Sequence, residues 1–368
     1  MSKKNINKKE GPKMKKYDYT GKTVFIGIDV HKRNYFVTAV VEGEMVKRDG
    51  MRARPEKLLA YIRKFFPGAV IHSAYEAGFS GFGLHRYLLE NGINNIVVHA
   101  ASIEVSSRDR VKTDKRDATK IAHQLSSGRL RCVHVPTTQR EDYRELTRLR
   151  DKVVKERTRT ANAIKAKAHY YGLIDPDDSS LVSEKWIKRL LESCSLSKNA
   201  RFYLEHLAEE WLRYRDKINE INELIKSQAI EDSEIEAVYR SAPGIGPTAA
   251  RLLANELGDM SQFSSERSLF SYTGLTPSEY SSGEHRRQGH ISRQGKSQLR
   301  RMLVQCAWVA IRLDQNLNEI YTRISNRAGA KRAIVAIARR LVGRVKACFN
   351  KQCQYHFYSI PKKEKVAA

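Results

Sequence analysis

Four carboxylates occupy positions from which they could bind metal ions. Asp29 and Glu76 each stand at the end of a short apolar run typical of a buried strand. Asp114 and Asp117 are three residues apart, so they share a face if a helix begins at Asp114 or just before it. An acid at the end of a central strand needs a cation or hydrogen-bond donors. Carboxylates from two strands and one helix suit two Mg²⁺ ions, which prefer oxygen ligands.

Each of these acids also has a purely structural explanation. Asp114 could be a helix N-cap, and Asp117 could be a first-turn acid that interacts favourably with the helix dipole. Asp29 could lie in a turn, and Glu76 could pair with a nearby arginine. The four acids together, on these elements of a basic protein, favour a two-metal, nuclease-like site in a ribonuclease-H-like arrangement.

The composition indicates a polyanionic partner. The chain has 368 residues, and its 67 Lys and Arg against 41 Asp and Glu give a formal charge of +26. Phosphates dominate the affinity of such basic proteins, so nucleic acid is the expected partner. No run approaches the roughly 18 apolar residues of a membrane-spanning helix, and no secretory signal is evident. The five cysteines are scattered without a CxxC pair, which favours the reducing cytoplasm.

The order of the elements predicts an α/β domain over residues 21–135. A lysine-rich segment, residues 1–20, precedes it and is expected to be a disordered tail. Three strands, a helix, a strand, a helix and a fifth strand then follow, in the order β-β-β-α-β-α-β. Pro136 marks the end of this domain.

Residues 136–235 are predicted to form a helical, coiled-coil linker. Apolar residues there alternate spacings of three and four over three heptads, namely Leu204, Leu207, Trp211, Tyr214, Ile218, Ile221 and Ile225. A second apolar stripe runs from Leu146 through Leu149 to Tyr171, which predicts an antiparallel helical hairpin. Both an oligomerising stalk and two helices packed on their own domain remain open. Trp186, Trp211 and Trp308 are expected to be core residues.

Residues 236–350 form a third, mostly helical region, and a basic tail, 351–368, follows it. The turn PGIG, which contains Gly244 and Gly246, precedes a predicted helix from Thr248. Its backbone N–H groups could hold a phosphate, as in a helix-hairpin-helix motif.

Ser282 precedes a glycine and is surrounded by arginines. Such a serine could attack a phosphodiester while the arginines stabilise the developing charge, although taken alone a loop of this kind more often only contacts phosphate. The predicted nucleic-acid contacts are Lys112, Arg116, Gly244, Gly246, Arg286, Arg287, Arg293, Lys296, Arg300 and Arg301.

These motifs, in this order, resemble the DEDD-type transposases of the bridge-RNA insertion sequences (insertion-sequence family one-ten). The resemblance covers about residues 23–345. It rests on IGID ending at Asp29, YEAG at Glu76, KTDKRDA with Asp114 and Asp117, PGIG, and GLTP…SG…GHISRQG…LRR around Ser282. Within this family, the residues of these motifs are most similar to those of the eleven-eleven subgroup.

The resemblance implies a RuvC-like domain in which Asp29, Glu76, Asp114 and Asp117 bind Mg²⁺, as two ions. It implies that Ser282, or Ser281 if the register is off by one, attacks DNA and forms a covalent phosphoserine. It further implies a tetramer with active sites shared between subunits, and a bridge RNA that pairs with donor and target DNA. The expected location of the protein is the cytoplasm of a bacterium or archaeon, in association with the nucleoid. The alternatives are a RuvC-like junction nuclease that uses water as nucleophile, and a non-catalytic nucleic-acid-binding protein.

Overall fold

The computed structural model describes residues 18–104, 113–192, 196–279 and 288–356. These residues form two compact units, which meet in the sequence between Val135 and Pro136. The predicted tails before residue 18 and after residue 356 lie outside the described residues, as do Lys112, Ser281, Ser282, Arg286 and Arg287. Within the described ranges, no helix is long and apolar enough to cross a membrane.

The first unit is built on a five-stranded sheet with the strand order β3-β2-β1-β4-β5. Its elements are β1 Thr23–Val30, β2 Asn34–Val41, β3 Glu44–Arg52, α1 Pro55–Phe65, β4 Val70–Glu76, α2 Gly83–Glu90, β5 Asn94–Val98 and, later in the chain, α3 Asp114–Ser126. The first three strands form an antiparallel meander, whereas β4 runs parallel to both β1 and β5. The predicted α/β domain and its order of elements are confirmed.

One face of this sheet is adapted to receive α3. Gly27 of β1 and Ala74 of β4 are neighbours in register, and both lack a long side chain. A Cβ built on Gly27 would lie 2.1 Å from the carbonyl oxygen of Ala118 and 2.4 Å from the amide nitrogen of Ala122. The backbone of α3 therefore rests directly on β1. Since side chains alternate along a strand, Asp29 projects from this same face.

The other face of β1 supports a separate part of the core. Val24, Ile26 and Ile28 are fully buried there, with Leu58 of α1 and Leu88 of α2. At about 25 cal/mol per Å² of buried apolar surface, each of these side chains stabilises the domain by roughly 1.5–3 kcal/mol. This packing fixes the end of β1, and hence the backbone position of Asp29.

The second unit begins with an antiparallel helical hairpin. It comprises α4 Thr138–Tyr170, α5 Glu184–Glu192 and α6 Lys198–Glu231. Ile164, near the end of α4, packs with Leu204 near the start of α6. Arg140, near the start of α4, donates to Asp232, which follows α6. The predicted hairpin is thus confirmed.

Two apolar residues predicted to be buried are exposed instead. Leu149 of α4 lies outside the stripe that packs on α6. Trp308 is 39% exposed, whereas Trp186 and Trp211 are buried as expected. The prediction for Trp308 is wrong because its helix buries Leu299, Leu303, Cys306, Ala307 and Ala310, a stripe from which position 308 is turned away.

The rest of this unit is a helical domain with one small hairpin. Its elements are α7 Ser233–Ser241, α8 Pro247–Leu257, α9 Glu266–Thr273, β6 Pro277–Glu279, β7 Gln288–Ile291, α10 Ser297–Leu313, α11 Gln315–Ala328 and α12 Ala330–Lys351. Leu253 of α8, Leu303 of α10 and Leu341 of α12 are fully buried in one apolar core. The mostly helical character predicted for this region is confirmed.

Candidate active site

The end of β1 and the start of α3 bring together three side chains of the types that can bind metal ions. His31 Nε2 lies 3.0 Å from Asp29 Oδ2 and 3.4 Å from Asp114 Oδ1. One ligand atom from each of the three residues lies within 4.8 Å of the others. The Asp29 side chain is 20% exposed and that of Asp114 is 50% exposed, so this group opens to solvent.

Asp117 lies near this group, on the same turn of α3. Its carboxylate is 3.7 Å from Lys120 Nζ, and its charge contributes to the raised pKa of Asp29. Thr113 occupies the N-cap of α3 and Asp114 lies in its first turn, so the alternative that made Asp114 the cap is wrong. Both acids nevertheless stand where the helix dipole favours negative charge.

Glu76 belongs to the same edge of the sheet through its backbone. It is the last residue of β4, directly after Tyr75, whose partner in β1 is Ile28, directly before Asp29. Its exposed side chain is outside the group formed by Asp29, His31 and Asp114. The structure therefore brings two of the four predicted acids, Asp29 and Asp114, together with His31. Asp117 is close enough for its charge to act on Asp29, and Glu76 ends the strand beside Asp29.

The electrostatics of Asp29 favour a cation beside it. Burial raises the pKa of this carboxyl, the hydrogen bond and charge of His31 lower it, and the charges of Asp114 and Asp117 raise it, with a net rise. The ionised form of Asp29 is therefore disfavoured, first by burial and then by the charges of the neighbouring carboxylates. Two carboxylate oxygens and an imidazole nitrogen within reach of each other form a donor set that suits a divalent cation.

The predicted nucleophile belongs to the segment between β6 and β7. The two ends of this hairpin are held together backbone to backbone. A Cβ on Gly274 would lie 2.0 Å from the carbonyl oxygen of Gln294, and one on Gly295 would lie 2.2 Å from that of Tyr272. Ser292 also donates its amide to Thr276 at 2.8 Å. The segments that flank β6 and β7, residues 272–276 and 292–295, are thus fixed to each other, whereas Ser282 lies outside the described residues.

A buried carboxylate connects the chain directly after these segments to the helical hairpin. Glu256 of α8 is only 1% exposed, and it pairs with Lys296, the residue that precedes α10. Arg148 of α4 donates its Nε to the same carboxylate at 3.0 Å, and Arg144 donates to the Asn255 carbonyl at 2.7 Å. Burial alone would raise the pKa of Glu256, but Lys296 and Arg148 together lower it.

Comparison with known proteins identifies the family. Residues 26–170 match the model of DEDD transposases of the IS110 type, and residues 237–322 match that of the IS116/IS110/IS902 transposase family. A putative transposase, y4qE, from Sinorhizobium fredii is 30% identical over 298 residues, which cover 77% of this chain and 71% of the relative. The chain belongs to the IS110 family of transposases. The family inferred from the motifs is thereby confirmed.

Two further relatives of this transposase are similar over much of their length. The transposase for insertion sequence element IS1111A from Coxiella burnetii is 29% identical over 249 residues, 66% of this chain and 68% of the relative. A second Sinorhizobium fredii protein, putative transposase y4rJ, is 27% identical over 364 residues, 87% of this chain and 90% of the relative.

The structure places the predicted phosphate contacts of the transposase in different settings. Gly244 has φ +77°, and a Cβ there would lie 2.4 Å from the carbonyl oxygen of Cys306, so this glycine allows close packing against α10. Gly246 is the exposed N-cap of α8 with open space around it. Lys296 is committed to Glu256. A phosphate-binding role for these three residues stays a prediction.

The predicted arginines are also distributed unevenly. Arg116 and Arg293 are exposed, and Arg300 is half-buried beside Gly274. Arg301 pairs with Asp151 of α4. Their contacts with nucleic acid stay predictions.

His31 is the site residue that sequence reasoning missed. In the sequence it stands in a polar stretch with Lys32, Arg33 and Asn34, between two apolar runs, and this stretch by itself predicts only a turn. A usable signal exists, since His31 follows Asp29 by two residues at the end of a buried strand. Such a residue stays near the same sheet edge even after the strand has ended.

Proposed function

We propose that this transposase recombines DNA by forming a covalent phosphoserine at Ser282, with divalent metal held at an acidic site in a RuvC-like domain. The observation that carries the proposal is that ligand atoms of Asp29 and Asp114 lie within 4.8 Å of each other, and of His31, where the end of β1 meets the start of α3. The strand order β3-β2-β1-β4-β5, with the acids at one edge, supports the RuvC-like assignment.

Asp29 and Asp114 would hold the metal, with Asp117 and Glu76 at the same edge completing the four acids. Mg²⁺ is the ion proposed, as a pair of ions, because it prefers carboxylate and phosphate oxygens. A bound metal ion would polarise the scissile phosphate. The residues themselves orient that cation: α3 fixes Asp114 and Asp117 against β1 through the contact at Gly27.

Ser282 would supply the nucleophile, with Ser281 as the alternative. Its Oγ attacks the phosphorus of a DNA phosphodiester and loses its proton, the bond from phosphorus to one sugar oxygen breaks, and that oxygen leaves as a hydroxyl whose new proton balances the one lost by the serine. A hydroxyl from another strand then attacks the phosphoserine, which restores the phosphodiester and releases the serine. Because the phosphodiester energy is conserved in the phosphoserine, no ATP is required.

The proposed partners are donor and target DNA, a bridge RNA and further copies of the chain, as a tetramer. Support for a polyanionic partner comes from the C-terminal helices, where residues 297–351 contain twelve Lys and Arg against two acids. Contacts are proposed for the arginines near the serine segment, Arg286, Arg287, Arg293 and Arg300, and for Lys112 and Arg116 near the acids.

Plasmid recombination by Ser282→Ala, with Ser281→Ala as the matched control, tests the nucleophile. We expect Ser282→Ala to abolish strand exchange while nucleic-acid binding stays nearly intact, and Ser281→Ala to remain active. A nicked suicide substrate should trap a protein–DNA adduct in the wild type, and peptide mass spectrometry should place it on Ser282. Full recombination by Ser282→Ala would overturn the assignment, and an adduct on Ser281 would shift it by one residue.

Asp114→Asn tests the acidic site separately, since it removes a charge at nearly constant shape. We expect this variant to lose DNA cleavage and to keep its fold and its nucleic-acid binding. Retained Mg²⁺-dependent cleavage would refute the metal role of Asp114. Cleavage by the wild type without any covalent adduct would favour the junction nuclease that uses water, and absence of cleavage under all conditions would favour a non-catalytic binding protein.

A further inference from the structure

We propose that His31 is itself a ligand of the divalent metal ion, so that the acidic site has a mixed nitrogen and oxygen donor set. This inference rests on the proposed function, because it assumes that Asp29 and Asp114 bind a cation. It goes beyond the four acids, which would give a site of oxygen ligands alone. A nitrogen ligand would change which divalent ion the site binds most tightly, relative to a site of oxygen ligands alone.

The His31 ring is held in place by contacts outside the acidic group. The residue lies in the turn between β1 and β2, where its amide donates to the Asn34 carbonyl at 3.0 Å. Its ring lies nearly perpendicular to that of Phe36 of β2, with ring centroids 6.0 Å apart and an interplanar angle of 85°. The imidazole is therefore presented to the carboxylates with part of its freedom already removed, which lowers the entropic cost of ligation.

The distances fit shared coordination of one ion. Ligand atoms at about 2.1 Å from an octahedral cation are about 3.0 Å apart when they occupy adjacent positions. His31 Nε2 lies 3.0 Å from one Asp29 oxygen and 3.4 Å from one Asp114 oxygen. The three atoms therefore lie close enough to one another for a single cation to contact all of them.

The competing explanation is that His31 acts as a counter-ion. A protonated ring between two carboxylates would take the place of the metal and would have to be displaced when the metal binds. The two explanations predict opposite results when the ring is removed. Loss of a ligand weakens metal binding, whereas loss of a competing cation strengthens it.

The mixed donor set also predicts which metals bind best. Imidazole favours the later first-row divalent ions, whereas carboxylate oxygens alone suit Mg²⁺ and Mn²⁺. With His31 as a ligand, the preference of the site for Co²⁺ over Mn²⁺ and Mg²⁺ should be larger than in a site of oxygen ligands alone. His31→Asp replaces the nitrogen with an oxygen, so it should retain Mg²⁺ binding and lose much of the preference for Co²⁺.

The test is calorimetric titration of the full chain with Mg²⁺, Mn²⁺ and Co²⁺, without DNA. Wild type is compared with His31→Gln and His31→Asp, and with His123→Gln as a matched control, since His123 is an exposed histidine on α3. We expect His31→Gln to weaken Co²⁺ binding by at least the roughly 10- to 100-fold that loss of an outer-shell partner of a metal site costs, to weaken Mn²⁺ and Mg²⁺ binding less, and His123→Gln to change nothing. Unchanged or tighter binding by His31→Gln would overturn the proposal.

A spectroscopic readout makes the test independent of affinity. With Mn²⁺ bound, pulsed electron paramagnetic resonance should detect coupling to a directly bound ¹⁴N in the wild type and in His123→Gln, but not in His31→Gln. Absence of that coupling in the wild type would refute nitrogen ligation.

Asp29→Asn distinguishes a failure of the acidic metal site from a failure of the role of His31 alone. If it abolishes metal binding while His31→Gln does not weaken it, only the role of His31 fails. If Asp29→Asn leaves metal binding unchanged, the acidic metal site fails, and the role of His31 fails with it. Thermal unfolding in EDTA checks that each variant is folded.

Discussion

Replacing Gly27 with alanine tests the contact that brings α3 to the acidic site. The new methyl carbon would lie 2.1 Å from the Ala118 carbonyl oxygen and 2.4 Å from the Ala122 nitrogen, where ordinary contact begins at 3.4 Å. Both atoms belong to the backbone of α3 and cannot rotate away. The helix must therefore move by about 1 Å, or the strand must distort by a similar amount.

The magnitude of the effect follows from this displacement. Overpacking of a well-packed contact typically costs about 1–3 kcal/mol of unfolding free energy, and we expect Gly27→Ala to fall in that range. The same movement carries Asp114 and Asp117 away from Asp29. Because a misplacement of about 1 Å can cost about 100-fold in rate, DNA cleavage should fall by roughly that factor.

The assays are urea denaturation of the full chain, metal titration and DNA cleavage, with Gly83→Ala as the control. Gly83 begins α2, and a Cβ there meets nothing within 4 Å. The control should keep or slightly raise stability, since alanine has the higher helix propensity. The reasoning is refuted if Gly27→Ala matches the wild type in stability, metal affinity and cleavage rate.

Three further predictions concern the second unit. Gly244→Ala should lower the unfolding free energy measured by urea denaturation by about 1–3 kcal/mol, because its Cβ would meet the backbone of α10. Gly246→Ala should lower it much less, since a Cβ there meets open space. Equal losses in the two variants would contradict the packing role of Gly244. Glu256→Gln should lower the unfolding free energy by about 1–3 kcal/mol, because the buried carboxylate would no longer pair with the half-exposed Lys296 and Arg148, and a loss below about 1 kcal/mol would show that these pairs are dispensable. The pKa values of Glu256 and Asp232 are lower in the folded state than in the unfolded chain, so the unfolding free energy should fall as the pH drops through about 4 and below. The fall should be smaller in Glu256→Gln, which lacks one of the two carboxyls. An unfolding free energy that does not change with pH in acid would exclude this linkage.

The first unit was largely predictable because its signals are local. Short apolar runs ending in Asp29 and Glu76 gave the strands, and the spacing of Asp114 and Asp117 gave a shared helical face. The pairing of Gly27 with Ala74, which seats α3, joins segments far apart in the sequence. No local pattern shows that a strand glycine faces a helix backbone, so the reason for the approach of Asp114 to Asp29 emerged only from the structure.

The second unit shows the same limit more strongly. The heptads of α6 predicted the helical hairpin, and most of their residues are buried. Glu256, in contrast, gathers Arg148 from 108 residues earlier and Lys296 from 40 residues later. A lysine read as a phosphate contact therefore has a buried partner that composition could not indicate. The exposure of Trp308 could have been predicted, because the α10 stripe excludes it.

The most direct test of the central claim is a crystal structure of the full chain grown with Mn²⁺, analysed by anomalous diffraction. We expect an anomalous peak within about 2.2 Å of a carboxylate oxygen of Asp29 and of Asp114, where the end of β1 meets the start of α3. A well-bound Mn²⁺ elsewhere, with Asp29 and Asp114 making no contact to metal at saturating concentration, would contradict it.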